Sequence, residues 1–137
     1  MRELRHRLRV RYSDCDPQGV LFNANYLTYF DIAITELWRE AFGSYEELTG
    51  KHGLDIVVAE ATVRYRAPIR FDEEVEVVPT ITHLGTTSMR TEISIEGDMG
   101  LAAEGEIRHV FVRHGTAEKT PMPDDVRAGL TPYQRDG

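Results

Sequence analysis

The stretch "SDCDPQGVLFNANY", residues 13–26, holds the side chains most able to do chemistry. Asp14 and Asp16 are carboxylates that can attack an electrophilic carbon or take a proton from water, and Cys15 between them is a thiol. Asn23 and Asn25 follow a turn signal at Pro17 and Gly19. An asparagine side chain there can cap a helix by accepting a free backbone NH of the first turn. The same residues also suit a plain strand-to-helix connection in which the two aspartates only make turn hydrogen bonds. Residue types alone leave both readings open.

Other reactive side chains have weaker settings. Cys15 has no His, Asn or Asp in a recognisable cysteine-hydrolase context, and Ser88 in "TTSMR" lacks the G-x-S-x-G elbow of a serine hydrolase. His52, His83, His109 and His114 show no metal-ligand spacing. His6 and His109 share the apolar parity of their strands, which reads as a strand end and a satisfied core residue. "HLGTTS" lacks the Lys and the helix of a phosphate loop. No metal and no redox cofactor is expected.

The elements that must position the loop are legible on either side of it. In residues 4–12, Leu4, Leu8, Val10 and Tyr12 alternate with Arg5, Arg7, Arg9 and Arg11, the pattern of a half-buried strand. From Ala24 to Phe42 the period becomes helical: Tyr26, Leu27, Phe30, Ala33, Ile34, Leu37, Trp38 and Ala41 form one apolar stripe, and Gly43 can end it. Ser44 and Glu47 have capping-box spacing, which predicts a short second helix to about Gly50. Four period-two runs follow, over 57–65, 75–81, 89–95 and 101–111. The breaks "RFDEE", "HLGTT" and "EGDMG" suit hairpins and hence an antiparallel meander. Pro79 cannot donate to a ladder, so its strand is at an edge or bulged there. A polar tail from about residue 115 can hold one helical turn near "PDDVRAGL" and is expected to fray.

These elements make an α+β domain spanning 1–137, in which a curved antiparallel sheet covers one long helix. A length of 137 residues suits one core. A formal charge of −7 and a pI near 5.2 argue against a protein that blankets nucleic acid phosphates. One cysteine makes no internal disulfide, and "MRELRHRLRV" contains no long apolar run for a signal peptide or membrane span, so a cytoplasmic protein is expected. The exposed edge of such a sheet calls for a partner, and a homodimer that continues the sheet is the expected remedy.

"VRYSDCDPQGVLFNANYLTYFDIA" resembles the signature of the hotdog-fold acyl-CoA thioesterases of the 4-hydroxybenzoyl-CoA thioesterase type: strand, D-x-D-x-x-G, aromatic, x-x-N-Y, central helix. "VRYRAPIRFDEEVEV", "HLGTTSMRTEISI" and "PMPDDVRAGL" are similar to later segments of the family, so the resemblance covers nearly the whole chain.

The resemblance implies hydrolysis of an acyl-CoA thioester, with coenzyme A as part of the substrate and no separate cofactor. It makes Asp16 the active carboxylate, as nucleophile or as base for a water, and Asp14 structural. It places Asn23 where a backbone NH at the helix start polarises the thioester carbonyl. Many relatives close to the Tol-Pal-associated thioesterases carry His at that position, so any role of a histidine ring is absent here. Gly19 of the motif is expected against the substrate. Asp31, eight positions after Asn23, is the nearest match to the helix carboxylate of a related subclass and is expected at the acyl group. Arg64, Arg66 and Arg90 are the candidates for the coenzyme A phosphates, against the plain alternative of exposed strand arginines. By resemblance the homodimer pairs into a dimer of dimers, with each site built from two subunits. The competing readings are an acyl hydratase or dehydratase, which needs a catalytic His that "DPQGVLFNAN" does not supply, and a noncatalytic acyl-binding protein.

Overall fold

Five strands form one antiparallel sheet: β1 (His6–Arg9), β2 (Leu54–Tyr65), β3 (Glu74–Leu84), β4 (Ser88–Gly97) and β5 (Gly100–Arg113). They are ordered β1-β3-β4-β5-β2 in the computed structural model, which describes residues 1–136. The sheet wraps helix α1 (Asn25–Phe42), whose Tyr26, Tyr29, Phe30, Ala33, Ile34, Leu37 and Trp38 are buried against its inner face. This is the α+β architecture expected from the periodicities. Gly105 marks the closest approach of sheet and helix: a Cβ there would lie 2.0 Å from the Thr62 carbonyl oxygen and 2.7 Å from Phe30 Cε2. Only hydrogen fits at that position.

The short helix is α2 (Tyr45–His52), and Ser44 caps it by accepting the Glu47 NH at 2.9 Å, as its spacing predicts. It runs two residues past Gly50 and ends at Gly53, which is left-handed at φ 62°. Pro79 pairs with Ile93 on one side only, because β1 reaches no farther along β3 than Val77, so the proline sits at a local edge.

Several expectations are corrected. The first strand covers His6–Arg9 rather than 4–12, because a 3₁₀ turn over Tyr12–Asp14 takes over and leaves Tyr12 exposed. "RFDEE" is not a hairpin: β2 pairs with β5, and residues 66–73 cross to β3, carrying the buried Ile69 across the opening of the wrap. Leu27 is exposed and Tyr29 takes its place in the stripe. Val57 is exposed because the register shift at Ala59 leaves it on the outer face, Tyr65 because β2 is the terminal strand, and Leu101 because the ladder shifts register beside it. The tail does not fray. Met122, helix α3 (Asp124–Leu130) and Tyr133 bury apolar side chains in the core, and Arg135 NH donates to the Ile81 carbonyl.

Candidate active site

The loop between β1 and α1 is a tight double-back. Asp16 NH donates to the Val20 carbonyl at 2.9 Å, Phe22 NH to the Asp14 carbonyl at 3.0 Å, and Cys15 bridges Leu21 across the turn. Pro17 and Gly19 make this possible, Gly19 adopting φ 79° and donating its NH to the Asp16 carbonyl. The 66–73 crossover clamps the loop from the other side, with Leu21 NH bonded to the Ile69 carbonyl and Phe71 NH to the Gly19 carbonyl.

The two aspartates have different surroundings. Asp14 is buried and fully engaged: Oδ1 accepts from Arg11 Nη2 at 3.1 Å, and Oδ2 accepts from Arg11 Nε at 3.1 Å and from the Tyr29 hydroxyl at 2.8 Å. Burial pushes the Asp14 carboxyl up, but the hydrogen bonds from Arg11 and Tyr29 outweigh it and hold it below the usual carboxylate range. Burial and the bond to Asp14 in turn push the Tyr29 hydroxyl far up. Asp14 therefore ties the loop to α1, the structural role expected of it.

Asp16 is half-exposed. Its Oδ1 accepts from Gln18 NH at 2.8 Å and, more weakly, from Val20 NH at 3.5 Å. Its Oδ2 accepts nothing among the described residues. The turn thus fixes the side chain through one oxygen and leaves the other free. Asp16 lines an open cleft of about 400 Å³ together with Tyr12, Cys15, Pro17, Gly19 and Phe71. Burial and the neighbouring aspartates push the Cys15 thiol up, which disfavours the thiolate that a cysteine nucleophile would need.

Asn23 follows in the same loop, one residue ahead of the helix cap Ala24. Neither asparagine caps α1 with its side chain: Asn25 Nδ2 donates to the Asp14 carbonyl at 2.8 Å, and Asn23 is exposed. The Asn23 carbonyl accepts from the Tyr65 hydroxyl at 2.9 Å, while its NH has no acceptor among the described residues. The helix start is pinned to β2 with a donor to spare.

The other expected residues lie apart from the cleft. Asp31 is exposed on α1 and is not among its lining. Arg64 and Arg66 share Glu104 at 3.5 and 2.7 Å, and Arg90 pairs with Glu106 at 2.9 Å. Glu36 pairs with Arg39. His109 is buried edge-on against Trp38, but it is not satisfied, since Nδ1 has no partner. Among the described residues no group of three or more His, Cys, Asp or Glu could hold a metal ion. Tyr12 and Phe71 are the cleft residues that sequence reasoning missed: Tyr12 read as core by parity, and Phe71 is brought in from the distant crossover.

Residues 10–130 match the family model described as "Thioesterase-like superfamily". The chain belongs to this superfamily. It is 33% identical over 122 residues to "Acyl-CoA thioester hydrolase YbgC" of Escherichia coli, covering 88% of this chain and 90% of that one. In structure it is similar to a gentisyl-coenzyme A thioesterase, with a TM-score of 0.81 and 24% identity over 93% of this chain and 99% of that one. It is likewise similar to the DHNA-CoA thioesterase from Staphylococcus aureus, with a TM-score of 0.86 and 21% identity over 95% and 89%. At those identities the two structures speak for the fold alone, which is the hotdog fold of thioesterases. The resemblance read from the D-x-D-x-x-G loop holds across the chain.

Proposed function

We propose that this chain hydrolyses an acyl-CoA thioester to the free acid and coenzyme A, with Asp16 as the catalytic carboxylate. The observation that carries the reading is the contrast between the paired aspartates. Both oxygens of Asp14 are taken by donors, whereas Asp16 presents a free Oδ2 in an open cleft. The similarity to an acyl-CoA thioester hydrolase supports the choice of substrate. Two routes use the same oxygen. In one, Oδ2 bonds to the thioester carbon, the C–S bond breaks with release of the coenzyme A thiolate, and water cleaves the mixed anhydride. In the other, Oδ2 takes a proton from a water that attacks the carbon, and that proton ends on the leaving sulfur. The unpartnered Asn23 NH at the helix start serves as donor to the carbonyl oxygen as negative charge develops on it.

Arg64 and Arg66 share one carboxylate, so their pair keeps surplus positive charge for the coenzyme A phosphates, while Arg90 must exchange Glu106 for phosphate. Gly19 lies in the cleft lining, and Asp31 reaches an acyl group only if that group extends along α1. The unpaired β2 edge supports a homodimer, and by family likeness a dimer of dimers. No helix among the described residues is long and apolar enough to cross a membrane, and we place the protein in the cytoplasm on its single cysteine.

The deciding experiment is Asp16→Asn, which keeps the turn hydrogen bonds and removes the charge. Hydrolysis of acyl-CoA, followed by thiol release, is expected to fall about a hundredfold or more while acyl-CoA binding persists. Near-normal hydrolysis by the variant rejects the mechanism. Hydration of an enoyl-CoA without thiol release, or binding without turnover by the native protein, rejects the reaction.

A further inference from the structure

We propose that Tyr12 and Phe71 are substrate-contacting residues, an aromatic wall that seats the uncharged chain next to the thioester against Asp16. The inference rests on the thioesterase reading and adds to it two residues that neither the motif nor the matched names assign.

The first observation is misplaced exposure. Tyr12 continues the inward parity of Leu8 and Val10, yet it is 81% exposed because the 3₁₀ turn swings it out of the core. Phe71 is 49% exposed although Ile69, two residues earlier, is completely buried. Single exposed aromatics are ordinary. These two, 59 positions apart in sequence, meet edge to face with ring centroids 5.7 Å apart and planes at 85°.

The second observation is how firmly they are set. Phe71 NH is bonded at 2.9 Å to the carbonyl of Gly19, in the same turn that holds Asp16. The next residue, Asp72, has φ 70°, a left-handed conformation that only a minority of non-glycine residues adopt, and its NH donates to the Val10 carbonyl. The backbone that orients Phe71 is therefore bonded both to the Asp16 turn and to the chain just before Tyr12.

The third observation is charge. Asp16 is the one charged side chain in the cleft lining, and no cation is among the lining residues. The triphosphorylated end of coenzyme A does not belong beside a lone carboxylate. A thioester carbon attacked by Oδ2 lies about 3–3.5 Å from it, and one attacked by a water that Oδ2 deprotonates lies one water farther, so on either route the atoms flanking that carbon fall at the cleft. Those atoms are uncharged on both sides: the acyl chain, and the pantetheine arm beyond sulfur. A volume of about 400 Å³ admits either.

A second copy of the chain is the competing occupant. Tyr12 follows β1 and Phe71 lies in the crossover that continues from β2, whose Tyr65 also reaches the loop at the Asn23 carbonyl, so the mass measured by light scattering decides between substrate and second copy. The β2 edge has its own exposed apolar side chains for a partner.

The test is calorimetric titration of the full-length protein with nonhydrolysable thioether analogues of acyl-CoA, alongside thiol-release assays. For Phe71→Ala and Tyr12→Ala, Kd for the analogue is expected to rise about tenfold, with kcat nearly unchanged, the signature of lost uniform binding. Phe71→Tyr and Tyr12→Phe should restore most of the affinity. If the penalty grows with acyl length, the wall holds the acyl chain; if it disappears for analogues truncated to N-acetylcysteamine, the wall holds the pantetheine arm. Unchanged Kd in both alanine variants overturns the inference, as does a drop in molecular mass by light scattering, which would assign the rings to a subunit contact. Absence of thiol release from the native protein counts against the thioesterase reading, whereas the binding measurement judges the wall by itself.

Discussion

Two aspartates, two residues apart, are told apart by their donors. Asp14→Asn removes the charge that Arg11 and Tyr29 together hold, and is expected to destabilise the fold by about 2 kcal/mol in urea unfolding. Its hydrolytic rate should fall far less than that of Asp16→Asn, and an equal fall in a well-folded Asp14 variant would exchange the roles. Asn23 gives the complementary case. Its side chain caps nothing, and the inferred contribution is its backbone NH, so Asn23→Ala should keep most of the activity and melt within a few degrees of the parent. Total loss of turnover in that variant would assign the work to the amide side chain. The motif made Asp16 and Asn23 visible in the sequence. The contrast between Asp14 and Asp16 is partly local, since Arg11 three positions earlier reaches both oxygens of Asp14, and partly not, since the third donor is Tyr29, fifteen positions after it.

At the scale of elements, periodicity revealed what each segment is more readily than what it pairs with. The long helix, the Ser44 cap and the β3-β4-β5 meander follow from 3.6- and 2-residue patterns and from Gly-bearing turns. The β2-to-β3 crossover looked like another hairpin because loop composition is the same for a turn and a short crossing, and only the wrap of the sheet around α1 makes the crossing short. The same wrap buries His109 on β5 beneath Trp38. Burial lowers its pKa from the ordinary 6.5 to about 4. Between those values the unfolded chain binds a proton that the native state does not, so stability rises with pH. The contribution is complete above pH 6.5 and is lost as pH falls toward 4. It amounts to about 3 kcal/mol. Urea midpoints recorded from pH 7 down to pH 4.5 should therefore fall more steeply for the native protein than for His109→Phe. Parallel slopes would mean that the ring protonates without cost.

For the whole molecule, the open question is what covers the outer edge of β2. This strand is twelve residues long, has one ladder neighbour, and carries neither Lys nor Pro to discourage pairing. Val58 and Tyr65 are 54% and 53% exposed along it. Its register shift at Ala59 exchanges the faces, so that Asp55 and Val57 share the outer face with Thr62 and Arg64 rather than with Ala61 and Val63. Two copies of β2 related by a two-fold axis through this bulge can pair antiparallel with inner faces together and outer faces together. Among the registers that allow it, the one that sets Asp55 opposite Arg64 also matches charge. Light scattering at micromolar concentration should give a mass of at least twice 15.6 kDa. Val58→Lys places a charge on the apolar inner face of the seam and should shift the protein to a smaller species, with activity lost in parallel because the Tyr65 hydroxyl that pins the Asn23 carbonyl lies on this strand. Arg64→Asp should weaken the dimer by opposing like charges, because Asp55 is held in place at the seam by Gly115 NH and His114 Nδ1. A fully active monomer would remove the edge from the account. A dimer that ignores the charge reversal would keep the edge and move the axis.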